Sequence, residues 1–462
     1  MEINEILIVA MFVTFILLLF TGLPVAWVLA GVGVLFAFIA YQSDIHLDTI
    51  TGIDFVSVGL VVDRTYKIMD NWILVALPMF IFMGNLLDKS GVAEKLMKSF
   101  QELFGNVRGG LAITVVLIGI ILAASTGIVG ASVVLLGVMS LPAMLNQGYS
   151  KTVTVGTVAS SGTLGILIPP SIMLVIMADQ LALSVGDLFM GAVFPGLILG
   201  VLYIVYILGW GIIKPDSMPL AKDVKPVTRA VCWNVVKAVT PTLAMILAVL
   251  GSIFAGIATP TEASAVGAAA AMALAWQNGR LSIKVIQECL RDTLNVSGYI
   301  FAIFIGATMF ALVLRELGGD EYIESLLTSL PFGPYGIILF ILFIVFLLGF
   351  ILDWIEITLI ILPLVAPVIS ALEIAINGYG VLDNPTMVWF VMLVALTLQT
   401  SFLTPPVGFS LFYLKGVCPP GVTLGTIYKG VMPFILLQLT ALALLIAFPA
   451  LVNWFPAVVY GQ

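Results

Sequence analysis

The sequence predicts an all-α polytopic membrane protein, with about ten transmembrane helices plus two re-entrant hairpins in inverted-topology repeats. Three observations lead there. Of the 462 residues 61% are hydrophobic and only 9% are Asp, Glu, Lys or Arg, far below the roughly 25% charge a water-facing surface carries. The mean hydropathy of +1.20 is spread over long apolar runs without the alternation of a barrel strand, so helices are the viable spanning element. A polar hairpin tip followed by a Pro-Pro break occurs once in each half.

Several functions are excluded at the outset. A net charge of −7 leaves no basic stripe for nucleic acid. Cys232, Cys289 and Cys418 are far apart and form neither a CxxC pair nor a disulfide framework. The single histidine, His46, sits in a polar stretch and is read as a solvated loop residue, so a multi-histidine metal site is excluded. No GxxxxGK[ST] loop is present, which excludes ATP as a direct energy source. The apolar N-terminus lacks a basic n-region and reads as a first span.

Hydropathy and loop charge set one path through a bilayer. Spans are expected at 6–22 and 25–40, separated by Gly22-Leu23-Pro24, then a polar acidic loop over 41–70 and a span over 71–88. The stretch 89–108 repeats apolar residues every four positions (Val92, Leu96, Phe100) between lysines, the pattern of a helix lying along the interface. Arms at 111–124 and 131–145 are too short to cross and form a hairpin, 111–145, around a tip at Ala124–Gly130. A broken span, 152–182, and a span at 186–213 follow, then the most basic loop, 214–237.

The second half runs in the same order: spans at 238–256, 261–278 and 296–314, an acidic arm at 316–333, and a hairpin, 335–372, with arms 335–351 and 357–372. A broken span, 386–416, and a last span, 427–452, complete it. With 214–237 placed in the cytoplasm, every basic stretch falls inside, and the acidic stretches and both termini fall outside. An odd number of spans per half then inverts the halves, giving a first repeat over 1–213, a cytoplasmic linker, and a second repeat over 238–462. Trp72, Trp210, Trp233, Trp276, Trp389 and Trp454 fall near span ends and read as interfacial anchors.

The chemistry concentrates at two pairs of segments: Ser125 to Gly130 with Ser161 to Pro170, and Asp353 to Glu356 with Thr400 to Gly408. Proline frees a backbone carbonyl and glycine permits unwound dihedrals, and inside lipid such groups must be buried or line a wet cavity. Carbonyls and Ser/Thr hydroxyls are hard oxygen ligands for a small cation such as Na⁺, and half-helix N-termini favour an anion. The expected Na⁺ ligands are Ser125, Thr126, Gly127, Ser161, Gly162, Thr163, Gly165, Pro169, Asp353, Thr400, Ser401, Thr404 and Pro405. The expected substrate contacts are Ser125, Ser161, Asp353, Thr404 and Gly408.

Plainer readings stand beside these. Pro and Gly also kink ordinary spanning helices, and Ser125, Thr126 and Ser132 can bond back to their own helix. Asp353 or Glu356 can cap a helix start. Glu262 reads as a helix-start carboxylate and Asp179 as a boundary carboxylate or gate. An uncoupled channel and an intramembrane hydrolase remain alternative functions, the latter lacking a Ser–His, Asp–Asp or metal arrangement.

These residues also carry a resemblance. Pro78–Leu87 (PMFIFMGNLL), the Ser125 tip followed by Pro142-Ala143-Met144 and Gly148-Tyr149, Gly162–Ile172 (GTLGILIPPSI), Thr259–Ala263 (TPTEA), Leu352-Asp353 and Leu403–Gly408 (LTPPVG) resemble the large membrane subunit (M, DctM-like) of tripartite ATP-independent periplasmic (TRAP) transporters. The first tip and the second break depart from the family's common form at Ser125–Ser132, Ser401-Phe402 and Ser410. The resemblance implies a Na⁺-coupled importer of organic acids in the bacterial inner membrane, moving its hairpin domain like an elevator. It also implies a separate four-helix membrane subunit (Q) and a periplasmic binding protein (P) that delivers the solute.

Overall fold

The computed structural model of the protein describes residues 3–47, 49–126, 129–221, 226–372, 374, 376 and 382–461, without the side chains of residues 55 and 123–126. Among the described residues all regular structure is helical. The first half comprises α1 (Ile3–Leu19), α2 (Val25–Leu47), α3 (Phe55–Met69), α4 (Trp72–Lys89, opening with a 3-10 turn), α5 (Val92–Phe104), α6 (Gly110–Thr126), α7 (Val129–Gln147), α8 (Lys151–Thr163), α9 (Ile172–Gln180) and α10 (Val185–Ile213). The second comprises α11 (Arg229–Phe254), α12 (Pro260–Gln277), α13 (Ile283–Glu316), α14 (Gly319–Thr328), α15 (Pro334–Leu348), α16 (Trp354–Ala371, with a π turn at Ile357–Ile361), α17 (Pro385–Leu403), α18 (Phe409–Val417), α19 (Leu424–Ala447) and α20 (Ala450–Tyr460).

Among the described residues nine helices are long and apolar enough to cross a membrane, which makes the chain a multi-pass membrane protein. Their number agrees with the about ten expected, though they do not match span for span. Helix α1 has only 17 residues, the alanine-rich α12 is too weakly apolar, and α8 and α9 are separately too short. Conversely, α7 and α16, expected as short hairpin arms, have 19 and 18 residues and are long enough to span. The physical reason is that the tip residues Val129, Gly130 and Trp354–Glu356 join the second arm as helix instead of remaining loop.

The loop expected over 41–70 is largely helical. Helix α2 runs on to Leu47, with His46 exposed in its last turn, and α3 follows. Asp54 and Ser57 form a capping box at the start of α3, with the Ser57 N–H donating to Asp54 at 2.6 Å. The interfacial arm is present as α5, which buries Val92, Leu96, Met97 and Phe100.

The order long helix, short lateral helix, hairpin, broken helix, long helix occurs twice: α4 to α10 and α13 to α19. Packing follows that order. Helix α13 lies along α2 as α4 lies along α12, and α1 covers α2 as α11 covers α12. In the interior α6 and α7 flank α8 while α15 and α16 flank α17; α8 packs on α19 and α17 on α10. The two broken helices are therefore central. Every residue from Met387 to Leu403 is buried, as is Val153 to Thr163, which is what helices apolar all round require. Gly156 and Gly430 let α8 and α19 touch backbone to backbone.

Candidate functional site

Both Pro-Pro segments interrupt their helices. After Thr163 the chain makes one 3-10 turn, Leu164–Ile166, and leaves helical geometry before α9. The peptide Pro169–Pro170 is cis, and the Ser171 hydroxyl donates to the freed Ile166 carbonyl at 2.6 Å. In the second break Thr404 is extended, Pro405–Pro406 is cis, and the Gly408 N–H closes the turn on the Thr404 carbonyl at 3.1 Å. A Cβ on Gly408 would lie 2.8 Å from the Phe402 carbonyl, so this turn needs glycine.

The hydroxyls around the breaks are mostly turned back on the backbone. Thr163 donates to Ser160 O at 2.8 Å, Thr400 to Leu396 O at 2.8 Å and Thr404 to Thr400 O at 2.7 Å. Ser401 reaches out of its helix to Phe346 O at 2.9 Å, tying α17 to the hairpin arm α15. Ser161 Oγ is buried with no partner among the described residues. Gly162 packs directly on Val133 of α7, Gly165 lies buried in the 3-10 turn, and Pro169 and Pro405 sit in the two cis peptides.

A bond that sequence reasoning missed connects the halves. Gln399 Nε2 donates to Thr163 Oγ1 at 3.3 Å, directly joining α17 to α8 just before their breaks. Gln438 Nε2 donates to the fully buried Tyr203 hydroxyl at 3.0 Å. The amide oxygens of both glutamines, Gln399 Oε1 and Gln438 Oε1, have no partner among the described residues. The signal was available: an amide inside an otherwise apolar helix marks a buried polar site.

A cavity of about 230 Å³ lies where the hairpins meet the outer helices. Val129 and Gly130 of the first tip and Asp353, Trp354 and Glu356 of the second tip face it, with Phe402, Phe409 and Tyr413 from the second break. Val25 of α2 and Tyr299 of α13 close it from the other side. Gly130 lies against the Tyr413 ring, where a Cβ would stand 2.9 Å from Cζ. Asp353 is the N-cap of α16, accepting the Trp354 N–H at 2.8 Å, so the capping role weighed for either carboxylate falls to it. Glu356 is 1% exposed and neither of its oxygens has a hydrogen-bond partner among the described residues. Among the described residues the wall holds two carboxylates and no cationic side chain.

The structure therefore gathers only part of the expected set. Of the expected substrate contacts, Asp353 is on the cavity wall, whereas Ser161, Thr404 and Gly408 are not. The Ser125 and Thr126 side chains and all of Gly127 lie outside the described residues. Glu356, Tyr299 and Tyr413 belong to the wall without having been chosen as ligands. Other candidates resolve plainly. Glu262 caps α12 through Thr259, and Asp179 accepts from Asn71 Nδ2, tying α9 to the start of α4. Trp389, expected as an interfacial anchor, is instead fully buried and donates to Leu445 O at 2.7 Å. Its position near the start of α17 is enclosed because that helix runs through the molecular centre.

Broken helices and hairpins packed round a shared cavity are the architecture of many membrane transporters. The chain belongs to the DctM component family of the tripartite ATP-independent periplasmic transporters, which matches residues 12–451. It is 31% identical over 401 residues to the C4-dicarboxylate TRAP transporter large permease protein DctM of Pseudomonas aeruginosa, covering 85% of this chain and 88% of that one. It is 26% identical to the sialic acid TRAP transporter large permease protein SiaM of Vibrio cholerae, over 96% of this chain and 98% of that one. The isethionate TRAP transporter permease protein DctMQ of Oleidesulfovibrio alaskensis is 27% identical, over 96% of this chain and 65% of the relative. The crystal structure of the Alcanivorax borkumensis YdaH transporter shares the fold, with a TM-score of 0.53, 12% identity, and 84% of this chain and 87% of that one covered.

Proposed function

We propose that this chain is the permease of a sodium-driven importer of organic acids in a bacterial inner membrane, working by elevator-type alternating access. The observation that carries it is the acid-lined cavity between hairpins and outer helices. A buried carboxylate without a partner, such as Glu356, is costly unless a proton or cation joins it. Two carboxylates on one wall also repel a carboxylate solute. A bound Na⁺ removes both penalties at once, so cation binding makes the site receptive to an anion, and neither crosses well alone. Ser161 Oγ and Gln399 Oε1, buried beside the breaks and off that wall, are further neutral oxygens without a partner among the described residues.

The repeated element order, α4 to α10 and α13 to α19, supports two repeats, and the loop charge supports their opposite orientation over 1–213 and 238–462 with both termini outside. The family supports a small membrane subunit and a periplasmic binding protein as partners, and the dicarboxylate, sialic acid and isethionate relatives support an anionic solute. The test is uptake by proteoliposomes holding the permease and these partners under an inward sodium gradient. Uptake should collapse when K⁺ replaces Na⁺. Uptake that persists in K⁺ and stops with a protonophore would replace sodium by protons at the same carboxylates. Flux independent of either gradient would leave a channel.

A further inference from the structure

A second cavity, of about 210 Å³, lies beside the first along α13 and α16. Its wall joins Arg64 and Lys67 of α3, Arg315 of α13, and Leu359 and Pro363 of α16. The chain has only 18 Lys and Arg in 462 residues, and three of them converge here. They come from the two stretches, 41–70 and 316–333 with its flank, whose charge is otherwise acidic. Arg315 Nε pairs with Asp320 at 3.0 Å, but neither Asp320 nor Glu316 is on the cavity wall. Arg64 makes no ion pair among the described residues; burial first, and then the neighbouring Arg315, work against its charge, and outweigh the support of Glu316 and Asp320. Arg315 shares its charge with Asp320, but the Arg64 and Lys67 charges beside it on one small concavity repel each other until an anion enters, and guanidiniums match a carboxylate's two oxygens.

We propose that Arg64, Lys67 and Arg315 form an anion-binding vestibule that receives a carboxylate-bearing solute before it passes to the cavity between the hairpin tips. The proposal rests on the orientation given above, in which α3 and the end of α13 face outward. Its wall is shared between α16, on the hairpin side, and the outer helices α3 and α13, so movement of the hairpins past α13 would open it toward the inner cavity. Size selects the class: the volume suits a small mono- or dicarboxylate and not a folded protein surface.

Ala311 is on the same wall and serves as a reporter. In the full-length chain with Cys232, Cys289 and Cys418 replaced by serine, Ala311→Cys in lipid nanodiscs is labelled with anionic sulfonatoethyl and cationic trimethylammonioethyl methanethiosulfonates. The anionic reagent should react faster, and succinate should slow it. Arg64→Gln with Lys67→Gln should lower the anionic-to-cationic rate ratio at least about fivefold and abolish succinate protection. Thr308→Cys, on the same wall, gives a second reporter should Ala311→Cys fold poorly. An unchanged ratio, or absence of succinate protection in the parent, overturns the vestibule. Protection by a periplasmic binding protein and not by succinate also overturns it, in favour of a docking surface. These readouts need no sodium gradient, so loss of sodium-driven uptake with protection intact would sink the import mechanism and spare the vestibule.

Discussion

At the scale of single residues, the second tip divides its labour between two carboxylates three positions apart. Asp353 is held by the backbone it caps, whereas neither oxygen of Glu356 has a partner among the described residues. Glu356→Gln keeps the shape and removes the charge. It should raise the sodium concentration for half-maximal uptake by about tenfold or more, as expected for loss of one direct charge–ion contact. An unaltered sodium dependence would assign Glu356 a structural role. The cysteines give a check that does not involve transport. Burial pushes the Cys418 thiol above its ordinary range, Cys289 is buried, and Cys232 is exposed. Because only thiolate reacts, maleimide at neutral pH should modify Cys232 first, with Cys418 catching up only as pH rises past the usual thiol range. Mass spectrometry of the intact chain reads the order.

At the scale of elements, what holds the broken helices is close backbone approach more than polar pairing. Gly156 of α8 and Gly430 of α19 face each other with no space for a Cβ on either. Gly156→Ala and Gly430→Ala should each cost about 1–3 kcal/mol, measured as a lowered midpoint of thermal unfolding in detergent. The arm α5 is held differently. Asn278 donates to Ser90 O at 3.0 Å, and Arg280 pairs with Glu94 at 3.1 Å with both side chains more than half exposed. Arg280→Gln should therefore change stability by less than about 1 kcal/mol, and that small change should vanish in high salt.

At the scale of the molecule, polar contacts among the described residues join the outer helices to the hairpin-bearing interior. Asn71 to Asp179 is one of them, joining the start of α4 to the end of α9. If the hairpin domain moves past α4, as an elevator requires, an Asn71→Cys/Asp179→Cys disulfide should stop uptake. Reduction should restore it. Full activity in the fully cross-linked protein would refute that movement.

The membrane class, the hairpins and both helix breaks follow from the sequence, because lipid forbids unsatisfied backbone and so proline, glycine and charge have few places to stand. Loop charge and apolar run length are local properties, and they located α10 to within a residue and α5 and α19 to within about five, but took the start of α13 (Ile283–Glu316) for a basic stretch ahead of a span at 296–314. Local pattern did not locate α3, whose signal was one Asp-x-x-Ser capping box in a polar stretch. Nor did it show that Val129 and Trp354 start helices long enough to span. The pairings belong to tertiary structure alone: Gln399 with Thr163 across the two halves, Glu356 facing Tyr299 of an outer helix, and Arg64 beside Arg315. Each joins residues far apart in the chain, and spacing along one helix carries no information about which face another helix will present.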